Sequence, residues 1–435
     1  MKKVLIVAYY FPPSGGAGVQ RTLKFAKYLP EFGWEPVILT VDESADFPAR
    51  DPELMDELPD HINIYRSKIF EPYGLYRKLT GKHDQAVDIA NLVQGEQPGL
   101  AQRLSEWVRA TFFIPDARCF WRWTAVRKGL QIIRENNIDA IYSTAPPYTC
   151  HVIGEILHRK TGIPWVADFR DSWVGWLSAP ERKGFSHKID WNLEDQVLKQ
   201  ADRTITVTTG VKEDLLSRHK DVSQNKWHLI SNGFDAADFE GMSGKPDPDK
   251  FILTYTGSLY GNRNPMALFE AVQNLLKTQP DLKDKLRLRF VGRMDQGYAR
   301  AFESLGSMVE FISYVTHEQS IQYLLDSTAL LLIIDDAPAN KGIVTGKVYE
   351  YLSARRPILA LAPEGEASQL IQSLNAGFIA PPHNVAAVQK TLETMLNDWA
   401  HGLLNAGMVH EEIQQFDRKV LTGELAKVLD KISQA

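Results

Sequence analysis

The sequence predicts an α/β protein of two tandem Rossmann-like, doubly wound domains, and three observations carry that prediction. Short apolar runs alternate with stretches of helical apolar spacing, first up to about residue 210 and again from about residue 251. The runs are apolar throughout rather than at every second position, as in strands covered by helices on both faces. The length, 435 residues, also exceeds what a single hydrophobic core serves.

The first half opens with "KKVLIVAYY", a basic tip and an apolar run that enters "PPSGG" without a small-residue cleavage pattern, so it reads as a first strand rather than a leader. A Gly/Pro turn leads to a helix from Val19 to about Pro30, with Val19, Leu23, Ala26 and Leu29 on one stripe. Strand "PVILTV" completes a β-α-β unit. Residues 42 to 117 are polar and Pro-dotted and read as helical excursions rather than core sheet. Regular alternation resumes with helix "WTAVRKGLQIIREN", strand "DAIYST", helix "TCHVIGEILHRKTG", strand "PWVADFRD", helix "WNLEDQVLKQA" and strand "RTITVT". Helices between such strands imply a parallel sheet.

The stretch "NGFDAADFEGMSGKPDPDK" is rich in Gly, Pro and Asp and reads as an interdomain linker. Strands "FILTYTG", "LRLRFVG", "VEFISYV", "ALLLIID" and "PILALA" then alternate with helices such as "PMALFEAVQNLLKT" and "GKVYEYLSA". Ligands of such sheets sit beyond the carboxyl ends of the strands, so two facing sheets are expected to hold a central cleft.

Composition excludes several classes. With 44% hydrophobic and 24% charged residues the chain is ordinary globular material, and a net charge of -5 gives no reason to expect nucleic acid. Cys119 and Cys150 are the two cysteines, which excludes a disulfide scaffold and fits a reducing, cytoplasmic compartment. No run of about 18 apolar residues is present to span a membrane. No metal site is expected, because the histidines are scattered and the one D-x-D, Asp247 and Asp249, lies in the linker.

"GIVTGKVYEYL" follows a strand and imitates a phosphate loop. A Walker loop needs a longer Gly spacing and a hydroxyl for Mg²⁺ after the Lys. Here Val348 stands in that place, yet a turn of small residues, Lys347 and a helix start remain, which suits a phosphate. Glu350 shares a helix face with Lys347 and suits a ribose. In "TYTGSLYGNRNP", Arg263 precedes a helix, either as a diphosphate ligand or as a solvated surface residue, and Lys347 carries the same two readings. In the first loop, Gly16, Ala17 and Gly18 begin a dinucleotide fingerprint with Asp42 at the next strand end, but Arg21 replaces the third Gly. An NAD site, a purely geometric Gly turn and a loop whose amides approach a ligand at a helix N-terminus all remain open for it. "PWVADFRD" places Asp168, Arg170 and Asp171 at a strand end, either as an internal ion pair or as a charged cluster able to orient or deprotonate a hydroxyl. "STAPPYT" sets Ser143 and Thr144 beyond another strand end.

Taken in order, "PPSGGAGVQRTLKFAKYLPEFGWEPVIL", "ISNGFDAADF", "TGSLYGNRNPMALFEAV", "RFVGRMDQ" and "GKVYEYLSARRPILALA" resemble the GT-B glycosyltransferases, particularly glycosyltransferase family 4, over nearly the whole chain. The resemblance implies a retaining, metal-independent transferase with no cofactor, taking a sugar from a nucleotide diphosphate sugar to a glycan or lipid-linked acceptor. It implies an acceptor-side domain over residues 1–236, a nucleotide-sugar domain over 237–413, and a C-terminal helix over about 414–435 that returns to the first domain. Glu350 matches the ribose glutamate of the family, and Gly342 stands where a first glutamate would meet the sugar. Arg263 matches the diphosphate-binding Lys, Ser258 replaces its partner Arg, and Arg293 of "RFVGRMDQ" joins the donor site. Arg170 replaces the His of a His-Asp pair, leaving Asp171. We expect Asp168, Arg170 and Asp171 in the catalytic cluster. Gly16, Gly18, Ser258, Arg263, Arg293, Thr345, Gly346, Lys347 and Glu350 are expected at the donor. "DFRD" and "TGK-x-x-EYL" resemble a bacterial subgroup that builds surface polysaccharide. The different-class alternative is a catalytically silent nucleotide-sugar sensor or scaffold.

Residues 103 to 128 carry Arg103, Arg109, Arg118, Arg122, Arg127 and Lys128 among Trp, Phe and Ile, against Glu106 and Asp116. Two readings stand: an excursion packing its aromatics on the first domain, or a peripheral contact with an anionic membrane face or a lipid diphosphate.

Overall fold

The computed structural model describes residues 1–47, 49–59, 61–70, 107–175, 181–259, 263–313, 315–404, 409 and 411–434. The chain forms two compact units, Met1–Ser231 with Arg418–Ala435, and Asn232–Asp417.

The first unit runs β1 (Lys2–Val7), α1 (Ala17–Tyr28), β2 (Trp34–Val41), β3 (Asn63–Ser67), α2 (Trp121–Asn136), β4 (Ala140–Ala145), α3 (Thr149–Thr161), β5 (Trp165–Phe169), α4 (Gly184–Gln200), β6 (Arg203–Thr206), α5 (Thr209–Arg218) and β7 (Trp227–Leu229). Among the described residues its strands form one seven-stranded sheet, ordered β3-β2-β1-β4-β5-β6-β7 and parallel throughout. Alternation along β1 feeds both faces: Leu5 and Val7 enter one apolar cluster, and Val4 and Ile6 enter the other. That is why β1 reads as an unbroken apolar run. A last helix, Arg418–Ser433, lays Leu421, Leu425, Val428, Leu429 and Ile432 onto the face holding Val4, Ile6 and Phe25. Their spacing is one helical stripe.

The second unit runs β8 (Phe251–Thr256), α6 (Met266–Thr278), β9 (Leu286–Val291), α7 (Gln296–Glu303), β10 (Val309–Ile312), α8 (His317–Leu325), β11 (Ala329–Ile333), α9 (Gly346–Ala354), β12 (Ile358–Leu361), α10 (Glu366–Ser373), β13 (Gly377–Ala380) and α11 (Val385–Ala400). Among the described residues its sheet is six-stranded, ordered β10-β9-β8-β11-β12-β13 and parallel. Leu331 and Ile333 face one cluster while Leu330 and Leu332 face the other.

Three expectations are corrected. Part of the 42–117 excursion is sheet after all, because Asn63–Ser67 pairs with β2 from Val37↔Asn63 to Val41↔Ser67. This is an edge strand with only Ser67 buried, so it lacks the apolar run that marks the inner strands. Helix α4 begins at Gly184, ahead of the expected "WNLEDQVLKQA". Ser143 and Thr144 lie inside β4 and are buried, rather than beyond its end. The two units divide at Ser231 and Asn232, and Phe234 is buried with Tyr349 and Ile413 within the second unit. No helix among the described residues is long and apolar enough to cross a membrane.

Candidate functional site

In the second unit β8 lies between β9 and β11, so the connections leaving β8 and β11 diverge and a crevice opens beyond their carboxyl ends. The first residue of that crevice is Gly257, with φ +103°, where a Cβ would stand 2.6 Å from the Lys347 Nζ. Glycine is needed there for both backbone and space. Lys347 is the second residue of α9, after Gly346 and the N-cap Thr345. Its Nζ donates to the Tyr255 hydroxyl at 2.7 Å and lies 4.2 Å from the centre of that ring. Tyr255 donates onward to the Ser258 carbonyl at 3.1 Å, which Arg263 also reaches at 3.4 Å.

A phenol and a ring face hold Lys347 in place without neutralising it. Burial, followed by the neighbouring Arg263, pushes its ammonium down to about 7, with Glu350 opposing. Arg263 and a lysine that an incoming anion would hold protonated thus stand together at the N-terminus of α9, where unpaired amides add partial positive charge. The Thr345 Oγ1 is buried with no hydrogen-bond partner among the described residues. Such an arrangement favours an anion. Glu350 follows Lys347 by three residues, half-buried, as helical spacing predicts. Arg293 is exposed after β9, where its carbonyl accepts the Leu259 amide at 2.8 Å. Gly342 closes the 3-10 turn Pro338–Gly342.

In the first unit β1 lies between β2 and β4, and the loops after β1, β4 and β5 meet at their carboxyl ends. Gly16 caps α1 with φ +92° and open space before it, while the Gly18 carbonyl accepts from Arg170 at 2.7 Å. Arg170 also donates to the carbonyls of Ala145 at 3.2 Å and Pro146 at 2.5 Å. Its guanidinium thus ties the loop after β1 to the loop after β4.

Asp168 is placed differently from the charged cluster expected of it. Its carboxylate is fully buried, and Arg21 grips it with two bonds, at 3.0 and 2.8 Å. Tyr142 and Thr144 donate to the same group at 2.7 and 2.8 Å. Burial alone would raise its pKa, yet Arg21 and the two hydroxyls hold it below the ordinary carboxylate value. The internal ion pair that "DFRD" left open is therefore made by Asp168 with Arg21, not with Arg170. Arg21, the residue that spoils the dinucleotide fingerprint, is thus part of the core. Asp42, the expected ribose acid of that fingerprint, accepts from the amide and hydroxyl of Ser44 in its own turn, at 3.1 and 2.6 Å.

Asp171 is half-buried, and its carboxyl has no hydrogen bond or ion pair among the described residues. Burial raises its pKa, with Arg170 offsetting part of the rise. A carboxyl in that state is suited to receive or orient a hydroxyl proton. Spacing alone had missed Tyr255 and Arg21. Alternation along "TYTG" puts Tyr255 on the side of Gly257, a usable signal for the first, while the Arg21 pairing has no local signature.

Of residues 103 to 128, Arg103 and Glu106 fall outside the described residues. The remainder divides between the two readings. Asp116 is bonded by Thr149 at 2.8 Å, Trp121 is fully buried, and Arg118 lies over the Tyr9 ring. Trp107, Phe112 and Trp123 stay 57%, 62% and 58% exposed.

Residues 15–238 match the family model Glycosyltransferase Family 4, and residues 239–407 match Glycosyl transferases group 1. A search of the curated proteins finds no match. Among solved structures, the Anabaena protein HepE in complex with UDP superposes with a TM-score of 0.65 at 16% identity, over 99% of this chain and 100% of that one. Sucrose-phosphate synthase from Thermosynechococcus elongatus gives 0.62 at 15% identity, over 99% of each chain. The lipopolysaccharide outer core galactosyltransferase WaaB gives 0.59 at 13%, again over 99% of each. At these identities the likeness is one of fold, and the fold is GT-B.

Proposed function

The chain belongs to glycosyltransferase family 4, and from that premise we propose that it moves a sugar from a nucleotide diphosphate sugar to a glycan or lipid-linked acceptor, with retention at the anomeric carbon and no catalytic metal. The observation that carries this reading is the pairing of Lys347 and Arg263 at the start of α9, with no carboxylate in a salt bridge to Lys347 among the described residues. When the anomeric bond breaks, its electron pair goes to the departing diphosphate. Fixed cations and amides at that oxygen stabilise the transition state more than the ground state. Lys347, Arg263 and the amides of Thr345 and Gly346 would supply the charge that a divalent ion supplies elsewhere. Glu350 is assigned to the ribose hydroxyls and Asp171 to the acceptor hydroxyl. Ser258 and Arg293 complete the proposed donor contacts within the second unit. A role in bacterial surface-polysaccharide assembly rests on the "DFRD" and "TGK-x-x-EYL" patterns.

A thermal-shift panel of UDP-glucose, UDP-N-acetylglucosamine and GDP-mannose tests the donor. One of them should stabilise the protein, by about 2.7 kcal/mol at about 100 times its dissociation constant. The effect should weaken as pH rises from about 7 to about 9. A bound diphosphate raises the Lys347 pKa above its free value of about 7, so binding takes up a proton across that range. A pH-independent shift, or none with any donor, counts against the assignment. Stabilisation without nucleoside diphosphate release would favour the silent sensor.

The exposed Trp107, Phe112 and Trp123, interleaved with Arg109, Arg122 and Arg127, support an anionic bilayer surface as the place where the lipid-linked acceptor is met. Flotation with phosphatidylglycerol vesicles should recover the protein, and changing the three arginines to Glu should abolish recovery. Equal recovery would remove electrostatics from the account.

A further inference from the structure

The loop that leaves β5 carries Asp171, and each of its next three residues is held by side chains from other elements. The Ser172 carbonyl accepts from the Tyr148 hydroxyl, while the Ser172 hydroxyl donates to Asp214 and accepts from Arg218 at 2.9 Å. The Trp173 indole N–H donates to Asp190 at 2.9 Å, and its ring stacks on Tyr148 with centres 4.8 Å apart and planes at 14°. The Val174 amide donates to Glu194 at 2.8 Å.

The two carboxylates that receive these bonds are themselves anchored. Asp190 pairs with Arg182 at 2.9 Å, the side chains being 5% and 3% exposed. Glu194, fully buried, receives Arg218 at 3.0 Å and His219 at 2.7 Å. Arg182 extends to the carbonyls of Phe113 at 2.9 Å and Pro115 at 2.5 Å. Burying the Asp190–Arg182 pair and the Glu194 carboxylate is costly, and replacing buried pairs by apolar residues is often neutral or stabilising, so stability is a weak reason for them. Their bonds converge on three consecutive residues, through the Ser172 hydroxyl, the Trp173 indole and the Val174 amide. The residue just before those three presents a carboxyl without a partner among the described residues.

We propose that Tyr148, Trp173 and the two ion clusters centred on Asp190 and Glu194 are positioning residues, holding the loop after β5 so that Asp171 keeps one reactive placement. This rests on the assignment of Asp171 to the acceptor hydroxyl. Reactive groups displaced by about 1 Å lose about a hundredfold in rate, so a loop fixed at each residue has a kinetic purpose.

The test uses Tyr148→Phe and Trp173→Phe, each of which removes hydrogen bonds while keeping an aromatic ring and both buried ion pairs, with Ser172→Ala as a third variant. Turnover is read as nucleoside diphosphate release from whichever panel sugar nucleotide stabilises the protein most. Each variant should lose about tenfold in kcat with donor KM within about twofold. In an Asp171→Asn background, adding Tyr148→Phe should change kcat no further, because coupled residues are non-additive. Wild-type kcat in all three variants overturns the proposal, as does an equal fold loss in the Asp171→Asn background. An Asp171→Asn protein with full turnover overturns the assignment of Asp171, and the positioning proposal with it. An impaired Asp171→Asn beside fully active loop variants overturns positioning alone.

Discussion

Replacing Lys347 by Ala is expected to lower donor turnover by about 10²–10³-fold, the loss typical of removing one fixed donor from a developing oxyanion. The reasoning starts at the end of β8. Gly257 leaves room for the Lys347 Nζ, Tyr255 holds it at 2.7 Å, and neither group supplies negative charge. The ammonium is therefore pre-placed and under-neutralised before any ligand arrives, which is the condition under which it acts on the transition state rather than on binding alone. Lys347→Arg should not restore activity, because a planar fork does not reproduce a point charge seated close over Gly257 and held by the Tyr255 hydroxyl. Steady-state release of the nucleoside diphosphate measures this. Turnover within about twofold of wild type would sink the diphosphate assignment, more firmly if Arg263→Ala behaved likewise.

The largest stability effect should come from Arg21→Met. Arg21 and Asp168 are 2% and 0% exposed at the side chain, and Arg21 also reaches the carbonyls of Ser231 at 2.6 Å and Ile230 at 2.9 Å. Removing the cation leaves a buried carboxylate with two hydroxyl donors, a loss of about 3–5 kcal/mol. Adding Asp168→Asn should recover part of it, since the uncompensated charge disappears. The pH dependence has a definite sign. In the wild type the Asp168 pKa lies below its unfolded value, so the pair's stabilisation is present above the unfolded pKa and fades as pH falls through the folded one. Without Arg21, burial dominates and the folded pKa rises above the unfolded value. The variant's deficit should then narrow as pH falls from about 7 to about 4. Urea unfolding at the two pH values checks this, and a deficit below about 1 kcal/mol at pH near 7 would show that the pair is not the pin it is taken for.

Much of the second unit was legible because its signals are local. "ALLLIID" reads as a strand since Leu330 to Ile333 alternate between two apolar clusters, and both faces need apolar residues. The nearness of Lys347 and Glu350 follows from helical geometry alone. The edge strand Asn63–Ser67 was not legible, because one solvated side and a single neighbour remove the need for an apolar run.

The sequence by itself determined the alternation of elements, the two-unit organisation, the family resemblance and the residues at the start of α9. Tertiary structure alone decided which charges are structural and which remain available. Arg21 and Asp168 are 147 positions apart and meet only because β1 and β4 pair and β5 lies beside β4. Tyr255 meets Lys347 across 92 positions through the pairing of β8 with β11. Propensity and spacing act over a few residues, whereas the state of a buried charge is set by whatever the fold brings within about 4 Å of it. Three acidic and basic residues in "DFRD" therefore looked equivalent in sequence, while the fold made Asp168 a buried pin, Arg170 a tie between loops and Asp171 the carboxyl left without a partner among the described residues.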